Sequence, residues 1–189
     1  MVGALAVGGS RAEAEEPVPG VTPILQRISQ AASGEAGNDF SGYPDQSDDG
    51  RWGAFTSKAN NLVAGDINNV HDIFLADRDS GEIRMVSQLA AGTPGDANSW
   101  DPSISGDGRW IVFSSLASNL VPGDTNGVRD IFLFDRVGGT LARVSVSPTG
   151  AQVTRESETP RISGNGAWIV YASRDADHVP PGRQSGLRA

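Results

Sequence analysis

The residues with the clearest capacity for chemistry are aspartates and asparagines that recur at fixed spacing in two stretches of the sequence. The first stretch has the pattern Asp66-x-Asn68-x-x-x-Asp72, and the same pattern returns 58 residues later. Calcium takes about six to eight oxygen ligands from carboxylates, amides and backbone carbonyls, so these side chains suit it. The predicted metal ligands are Asp66, Asn68, Asp72, Asp124, Asn126 and Asp130.

Each pattern supplies only part of a calcium shell. Its first, third and seventh positions match the start of an EF-hand loop, but valine stands at the fifth position and no glutamate at the twelfth. Backbone carbonyls, water or an adjacent loop would have to complete the coordination. Alternatively, the same side chains bond their own backbone in Asx-turns, and Asp72 and Asp130 simply cap the start of a strand. The sequence leaves both interpretations open.

Known catalytic motifs are missing from the sequence. It has no cysteine and only two histidines, and His71 is replaced by Arg129 one repeat later. There is no G-x-S-x-G elbow, no H-E-x-x-H pair and no Walker-type phosphate loop. We therefore predict that the chain is not an enzyme, and we assign no catalytic residue and no cofactor other than calcium.

A repeat of 58 residues organises the chain from about residue 25 to residue 179. Its strongest part compares residues 51–78 with residues 109–136, which are identical at 18 of 28 positions. Self-similarity at a period of this length is the sequence signature of repeat architectures. The candidate metal residues are thus positioned by a duplicated structural unit.

Each unit is predicted to contain four short strands, a to d, separated by turn residues. In the second unit these are residues 102–105, 110–115, 130–135 and 141–146. Strands b and c are continuous apolar runs, as in sheets that are covered on both faces. Asp107-Gly108, between strands a and b, predicts a two-residue type I′ hairpin with positive φ at both residues. Four antiparallel strands per unit make one propeller blade.

The segment DPSISGDGRWIVFSS, followed by DIFLFDRVGGTLARVS, resembles the TolB-like β-propeller repeat family of WD-repeat-like bacterial blades. The resemblance rests on the proline before strand a, the Asp-Gly turn, the apolar strand b and the aspartate that ends strand c. We predict an all-β chain: a β-propeller of four-stranded antiparallel blades, of which about two and a half are present. The resemblance implies a bacterial, often exported propeller that binds other macromolecules.

The ends of the chain fall outside the regular repeat. Residues 1–24 are predicted to be a signal-like or disordered segment, since a short apolar run precedes the small-x-small triplet Ala12-Glu13-Ala14. Residues 25–179 form the blades, beginning with a d strand at residues 25–30 and ending with strands a and b of a third unit near Ser173. Residues 180–189 form an irregular tail, and we expect no role for His178. Because propellers typically have about four to eight blades, we favour a fragment of a longer protein; the alternatives are a chain that closes only as an oligomer and a chain that does not fold well alone.

The long b–c and d–a loops should lie at the same end of every antiparallel blade, and we call this end the loop face. Binding residues are most often found on such loops. Trp52, Trp110 and Trp168 open the three b strands and are predicted to pack in the core or between blades. Trp100 has no aromatic counterpart in the other units, which makes it a candidate ligand contact or a half-buried packing residue.

Aspartate followed by arginine closes strand c in both complete units, at residues 77–78 and 135–136. We predict that each pair serves as a turn cap and an ion pair between blades, since exposed charge pairs seldom do chemistry.

Charge and length restrict the functions that this chain can have. A formal net charge of −8 argues against nucleic acid as the main partner, and no later segment approaches the roughly 20 apolar residues of a membrane span. We expect a non-catalytic periplasmic or extracellular propeller module or fragment that binds protein or glycan on its loop face. The alternative is the propeller domain of a larger hydrolase or peptidase whose catalytic part is absent from this chain. Exposed blade faces and strand edges would also favour self-association.

Overall fold

The computed structural model describes residues 5–7 and 25–175, and these residues form strands, turns and loops without any helix. The strands are β1 (Leu5–Val7), β2 (Leu25–Arg27), β3 (Ser41–Gln46), β4 (Trp52–Ser57), β5 (Asp72–Asp77), β6 (Ile83–Met85), β7 (Ser99–Ile104), β8 (Trp110–Ser115), β9 (Asp130–Asp135), β10 (Thr140–Arg143), β11 (Ser157–Ile162) and β12 (Ile169–Ser173). None of the described residues therefore belongs to a helix that could span a membrane.

The strands form two complete antiparallel blades and part of a third. Blade 1 has the order β3-β4-β5-β6, and blade 2 has the equivalent order β7-β8-β9-β10. The third blade contributes the pair β11-β12, and β1 pairs with β2 in a separate two-stranded sheet. The predicted fold, an incomplete β-propeller of four-stranded antiparallel blades, is confirmed. Strand a of each blade contacts strand a of the next one, since Ile104 N–H of β7 donates to Asp45 Oδ2 of β3 at 2.9 Å and Ile162 N–H of β11 donates to Ser103 Oγ of β7 at 3.3 Å.

In blade 2, the observed bounds of strands b and c agree with the predicted ones, whereas the bounds of strands a and d differ. Strand a of blade 2 begins at Ser99 and not at residue 102, because a bulge between Trp100 and Ser103 lets the strand include Pro102. Proline lacks an N–H donor, and a bulge is where a sheet tolerates it. Strand d ends at Arg143 and not at residue 146, since the chain there turns into the d–a loop, where Val146 forms an isolated bridge with Gln152.

The prediction of type I′ turns between strands a and b was wrong. Gly108 has a φ of +68°, but Asp107 does not have a positive φ. Gly108 N–H donates to Ser105 O at 2.8 Å, which makes a four-residue loop with the glycine alone in the left-handed region. The Asp107 carboxylate accepts from Ser105 Oγ at 2.6 Å and from Arg109 N–H at 2.9 Å. Asp107 therefore stabilises the turn through its side chain and needs no unusual backbone conformation.

Two apolar layers hold the blades together. Phe55 and Phe74 stack within blade 1, with ring centroids 5.7 Å apart, and Phe113 and Phe132 repeat the arrangement in blade 2. The b–c loops are tied to these layers by Leu62 and Leu120, which are 2% and 5% exposed. This anchoring explains how a loop of more than ten residues can present side chains in fixed positions.

The tryptophans that open strand b pack as predicted in two of the three units. The Trp52 ring lies against Gly108 of the next blade, and the Trp110 ring lies against Gly166. Trp168, by contrast, is 57% exposed, because no following blade is present among the described residues to cover it.

The predicted roles of the Asp-Arg pairs at the end of strand c are partly corrected. Asp77 and Asp135 do cap turns, since each accepts a hydrogen bond from the backbone two residues later. Their ion pairs, however, lie within the blade: Arg51 Nη2 is 2.8 Å from Asp77 Oδ2, and Arg109 repeats this with Asp135. The contact between blades comes from Arg136, whose guanidinium lies 3.9 Å from the Trp52 ring centroid.

One strand lies within the predicted N-terminal segment, since β1 (Leu5–Val7) pairs antiparallel with β2 (Leu25–Arg27). The division of the chain into an N-terminal segment, blades and a tail stays a prediction. The Ala12-Glu13-Ala14 triplet, His178 and the tail at residues 180–189 lie outside the described residues.

Candidate functional site

The loop face is built from b–c loops and d–a loops that are joined by hydrogen bonds. The b–c loops comprise residues 58–71 and 116–129, and the d–a loops comprise residues 28–40, 86–98 and 144–156. Asn61 Nδ2 donates to Ala36 O at 3.0 Å, and Asn119 Nδ2 donates to Pro94 O at 3.0 Å. Each b–c loop is therefore fastened to the d–a loop that precedes its own blade.

The two asparagines of the predicted metal pattern form Asx-turns. Asn68 Oδ1 accepts from Val70 N–H at 3.2 Å, and Asn126 Oδ1 accepts from Val128 N–H at 3.1 Å. Their Nδ2 groups donate to backbone carbonyls of the following d–a loop, Gly95 O and Val153 O. The Asx-turn interpretation thus describes the asparagines, which also connect each blade's b–c loop to the next d–a loop.

The aspartates that begin strand c are buried among polar partners. Asp72 and Asp130 are fully buried, and each accepts a hydrogen bond from a serine hydroxyl of the same blade. Ser87 Oγ lies 2.6 Å from Asp72 Oδ1, and Ser145 Oγ lies 2.5 Å from Asp130 Oδ1. These serines follow strand d, so each aspartate fixes the start of strand c to the end of strand d.

The structure brings Asp124 and Asp130 together around an arginine that the sequence interpretation did not include. Arg143 Nη1 lies 3.1 Å from Asp124 Oδ1 and 3.6 Å from Asp130 Oδ2. Burial raises the pKa of Asp124, the Asp130 charge adds to that effect, and Arg143 opposes it.

In blade 1, burial raises the pKa of Asp66, and it raises the pKa of Asp72 to about 7. Among residues 5–7 and 25–175, no three imidazole, carboxylate or thiol groups come together as a metal site. Calcium at these loops stays a prediction.

A row of aromatic and charged side chains crosses the loop face, and we call it the aromatic row: Phe40, Tyr43, His71, Trp100 and Arg129. The ring centroids of Phe40 and His71 are 5.7 Å apart, and those of His71 and Trp100 are 6.1 Å apart. Arg129 lies 4.6 Å from the Trp100 centroid and pairs with Glu158 of the third blade at 3.2 Å. The row therefore spans blades 1 and 2 and reaches the third blade through the ion pair of Arg129 with Glu158.

Sequence reasoning identified Trp100 in the aromatic row and missed Phe40 and Tyr43. These two are 38% and 57% exposed, and their ring centroids are 6.1 Å apart. The repeat does not mark these two residues, because Asn98 and Asp101 stand at the equivalent places of blade 2. A search for aromatic residues that the other units lack would have found them.

A small pocket adjoins the aromatic row where the inner strands of the blades meet. Its volume is ≈ 200 Å³, and its lining residues are Tyr43, Pro44, Asp45, Asp101, Pro102 and Arg161. Tyr43, Asp101 and Thr159 occupy equivalent bulges with φ between 52° and 55°. Left-handed backbone at a tyrosine or a threonine is costly, so the surrounding sheet must enforce it. The bulges redirect these side chains at the same level of each blade.

Comparison with solved structures supports the propeller fold. A protein of Agrobacterium tumefaciens assigned to TolB superposes with a TM-score of 0.51 and 24% identity, over 84% of this chain and 44% of that one. The tricorn protease superposes with a TM-score of 0.50 and 15% identity, over 80% of this chain and 12% of that one. The chain thus spans less than half the length of either protein. No protein-family model matches the chain, and no curated protein matches its sequence.

Proposed function

We propose that this chain is a non-catalytic segment of a β-propeller that binds a protein partner through its loop face. The observation that carries the proposal is the aromatic row, in which Phe40 and Tyr43 are exposed beside Trp100 and Arg129. Aromatic residues and arginine are the types enriched at protein interfaces and at their energetic hot spots. Tyr43 and Trp100 lie in strands β3 and β7, and Phe40 and Arg129 lie on loops that are anchored to the same sheets, which lowers the entropy cost of binding.

The pocket beside Tyr43 favours a protein partner over a free small molecule. Its ≈ 200 Å³ is below the roughly 300–1,000 Å³ typical of small-molecule sites, and it suits one protruding side chain. Asp45, Asp101 and Arg161 line the same pocket, so a polar or charged side chain would find complementary groups. A glycan is the other candidate ligand. However, a sugar stacks best on an open aromatic face, and the Trp100 ring already contacts His71 and Arg129.

The non-catalytic assignment is supported by the surroundings of the titratable groups. Burial raises the pKa of Asp72 to about 7, and its Oδ1 accepts a hydrogen bond from Ser87 Oγ at 2.6 Å, a structural role that holds the start of strand c to the end of strand d. The His71 ring nitrogen Nδ1 lies 3.2 Å from Asn98 Oδ1, and that amide is not a nucleophile. The alternative proposal, a propeller domain of a larger hydrolase or peptidase, would use the same loop face and differ only in catalytic residues outside this chain.

Export to the periplasm or the cell exterior is part of the proposal. Its support is the resemblance to TolB-like repeats, together with the Ala12-Glu13-Ala14 triplet. The location is tested by fractionating cells that express the tagged full chain.

The binding proposal is tested by affinity capture from a bacterial periplasmic extract with three forms of the full chain. These are the unmodified chain, the double variant Tyr43→Ala/Trp100→Ala, and the control Val137→Ala. Val137 is 67% exposed in the c–d turn, at the opposite end of the blade. We expect one protein to be retained by the unmodified chain and by the control and lost by the double variant. The purified protein should then bind with a Kd that the double variant raises at least tenfold.

Two results would overturn the binding proposal. Equal retention by all three forms would exclude the aromatic row as the interface. Binding on a glycan array that the double variant abolishes, with no protein captured, would assign the face to carbohydrate.

A further inference from the structure

The two b–c loops share their acidic residues but differ in the side chain that strand d places beside them. Met85 of β6 and Arg143 of β10 occupy equivalent positions, 58 residues apart. Met85 pairs with Phe74 and Arg143 pairs with Phe132, so the register of the two blades is the same. Any difference between the two loops at this point therefore reflects the exchange of methionine for arginine.

In blade 2, Arg143 provides the positive charge of the loop. Its guanidinium lies 3.1 Å from Asp124 and 3.6 Å from Asp130, and its side chain is only 11% exposed. The two carboxylates are 4% and 0% exposed, so the three groups form a buried cluster with a cation at its centre. Asn126 Nδ2 adds a hydrogen bond to Asp130 Oδ2 at 2.7 Å. The carboxylates of the acidic loop in blade 2 thus have their counter-charge within the chain.

In blade 1 the same carboxylates lack a cation. Met85 is 3% exposed and packs in the apolar layer with Phe74, where it offers no charge. Within the described part of the chain, no arginine or lysine forms an ion pair with Asp66 or Asp72. Asp66 Oδ1 and Asp72 Oδ2 are buried without a hydrogen bond of good geometry, and the two residues are 8% and 0% exposed. Only the neutral Asn68, through its backbone at Asp66 and its side chain at Asp72, lies close enough to lower the pKa of both carboxyls, and the Asp66 charge adds to the raised pKa of Asp72.

Buried carboxylate oxygens without partners are unfavourable, because they have lost water and gained nothing in exchange. In blade 2, the equivalent pair of aspartates binds a cation, the guanidinium of Arg143. A cation from solution would satisfy the blade 1 pair in the same way. The neighbouring Ile67 is 79% exposed, so Asp66 lies next to a side chain on the open surface of the loop face.

We propose that Asp66 and Asp72 bind one calcium ion in blade 1, and that the second loop binds none because Arg143 occupies the equivalent place. Calcium is favoured over magnesium because it tolerates irregular shells of carboxylates, backbone carbonyls and water. With two carboxylates, the site belongs with the weak calcium sites of extracellular modules, at roughly 10⁻⁴–10⁻³ M. This proposal is independent of the partner proposed for the aromatic row.

Reciprocal exchange of the two residues tests the proposal on the full chain. Isothermal titration with calcium chloride at pH 8 measures the number of ions bound, and circular dichroism confirms that each form is folded. We expect one calcium ion for the unmodified chain, none for Met85→Arg, none for Asp72→Asn, and two for Arg143→Met. The melting temperature should rise with calcium in the unmodified chain and not in Met85→Arg.

Three outcomes would overturn the proposal. A folded unmodified chain that binds no calcium would exclude the site. Two ions bound to the unmodified chain would show that Arg143 does not fill the second loop. One ion bound to Met85→Arg would place the calcium elsewhere. If Arg143→Met fails to fold, the unmodified chain and Met85→Arg still decide the question.

Discussion

Gly108 offers a direct test of how blade 1 packs on blade 2. It lies in the a–b turn of blade 2 with a φ of +68°, and a Cβ atom at this position would overlap the Trp52 ring of blade 1. Gly50 is the equivalent residue of blade 1 and has the same φ, but its Cβ would meet only the end of the Arg78 side chain, with Nη1 at 3.2 Å. Alanine has the same unfavourable backbone conformation at either position. The difference in unfolding free energy between the two variants therefore measures the contact between blades.

The expected magnitudes follow from these contacts. A non-glycine residue in the left-handed region costs about 1–2 kcal/mol, which we expect for Gly50→Ala. Overlap with a packed ring adds about 1–3 kcal/mol, so Gly108→Ala should lose about 2–5 kcal/mol of unfolding free energy. Effects of alanine on the unfolded chain are the same at both sites and cancel in the difference.

Urea unfolding followed by circular dichroism measures both losses, provided that the two variants keep the m-value of the unmodified chain. Equal losses for Gly50→Ala and Gly108→Ala would refute the packing of Trp52 against blade 2. A larger loss for Gly50→Ala would refute the assignment of the neighbours as well.

Three further predictions concern stability. Phe113→Ala should lower the unfolding free energy by about 3–5 kcal/mol in urea titration, because it empties a fully buried position. Arg51 lowers the pKa of Asp77 from 3.8 to about 2. The folded pKa is thus below the unfolded one, so the contribution is complete above about pH 5 and is lost as the pH falls through about 2. Arg51→Met should flatten the pH dependence of the melting temperature in that window. Arg136→Ala should cost about 1 kcal/mol through its lost contact with Trp52, and an unchanged urea midpoint would contradict that contact.

The blade was predictable from the sequence wherever the side chains alone determine the backbone. The c strands were placed correctly because an apolar run such as residues 131–134 has no other way to be covered than in a sheet between two others. Strand a was misplaced because Pro102 suggests a strand boundary, whereas the bulge at Trp100 and Ser103 allows the strand to continue through it. The compatibility of proline with a bulge depends on the neighbouring strand, which the local sequence does not describe.

The a–b turn and the metal loops show a second limit. Asp107-Gly108 is compatible with more than one turn, and the choice depends on whether Ser105 and Arg109 can bond the aspartate side chain. Likewise, the exchange of Met85 for Arg143 is visible in the sequence, but its meaning is not. Only the fold shows that the side chain at this position of strand d reaches the aspartates of the b–c loop.

Positions that the two units share and positions that they do not share have different roles in this protein. The shared residues, such as Leu62 and Leu120, anchor the loops to the apolar layers and would serve any propeller of this design. The features that we propose to bind a partner or an ion come from positions where the units differ: Phe40 and Trp100 in the aromatic row, and Met85 beside the acidic loop. A closed ring of blades presents the same scaffold several times, so a ligand that binds at one place must recognise what the units do not have in common. For this reason the repeat locates the loop face, and the departures from the repeat locate the candidate sites on it.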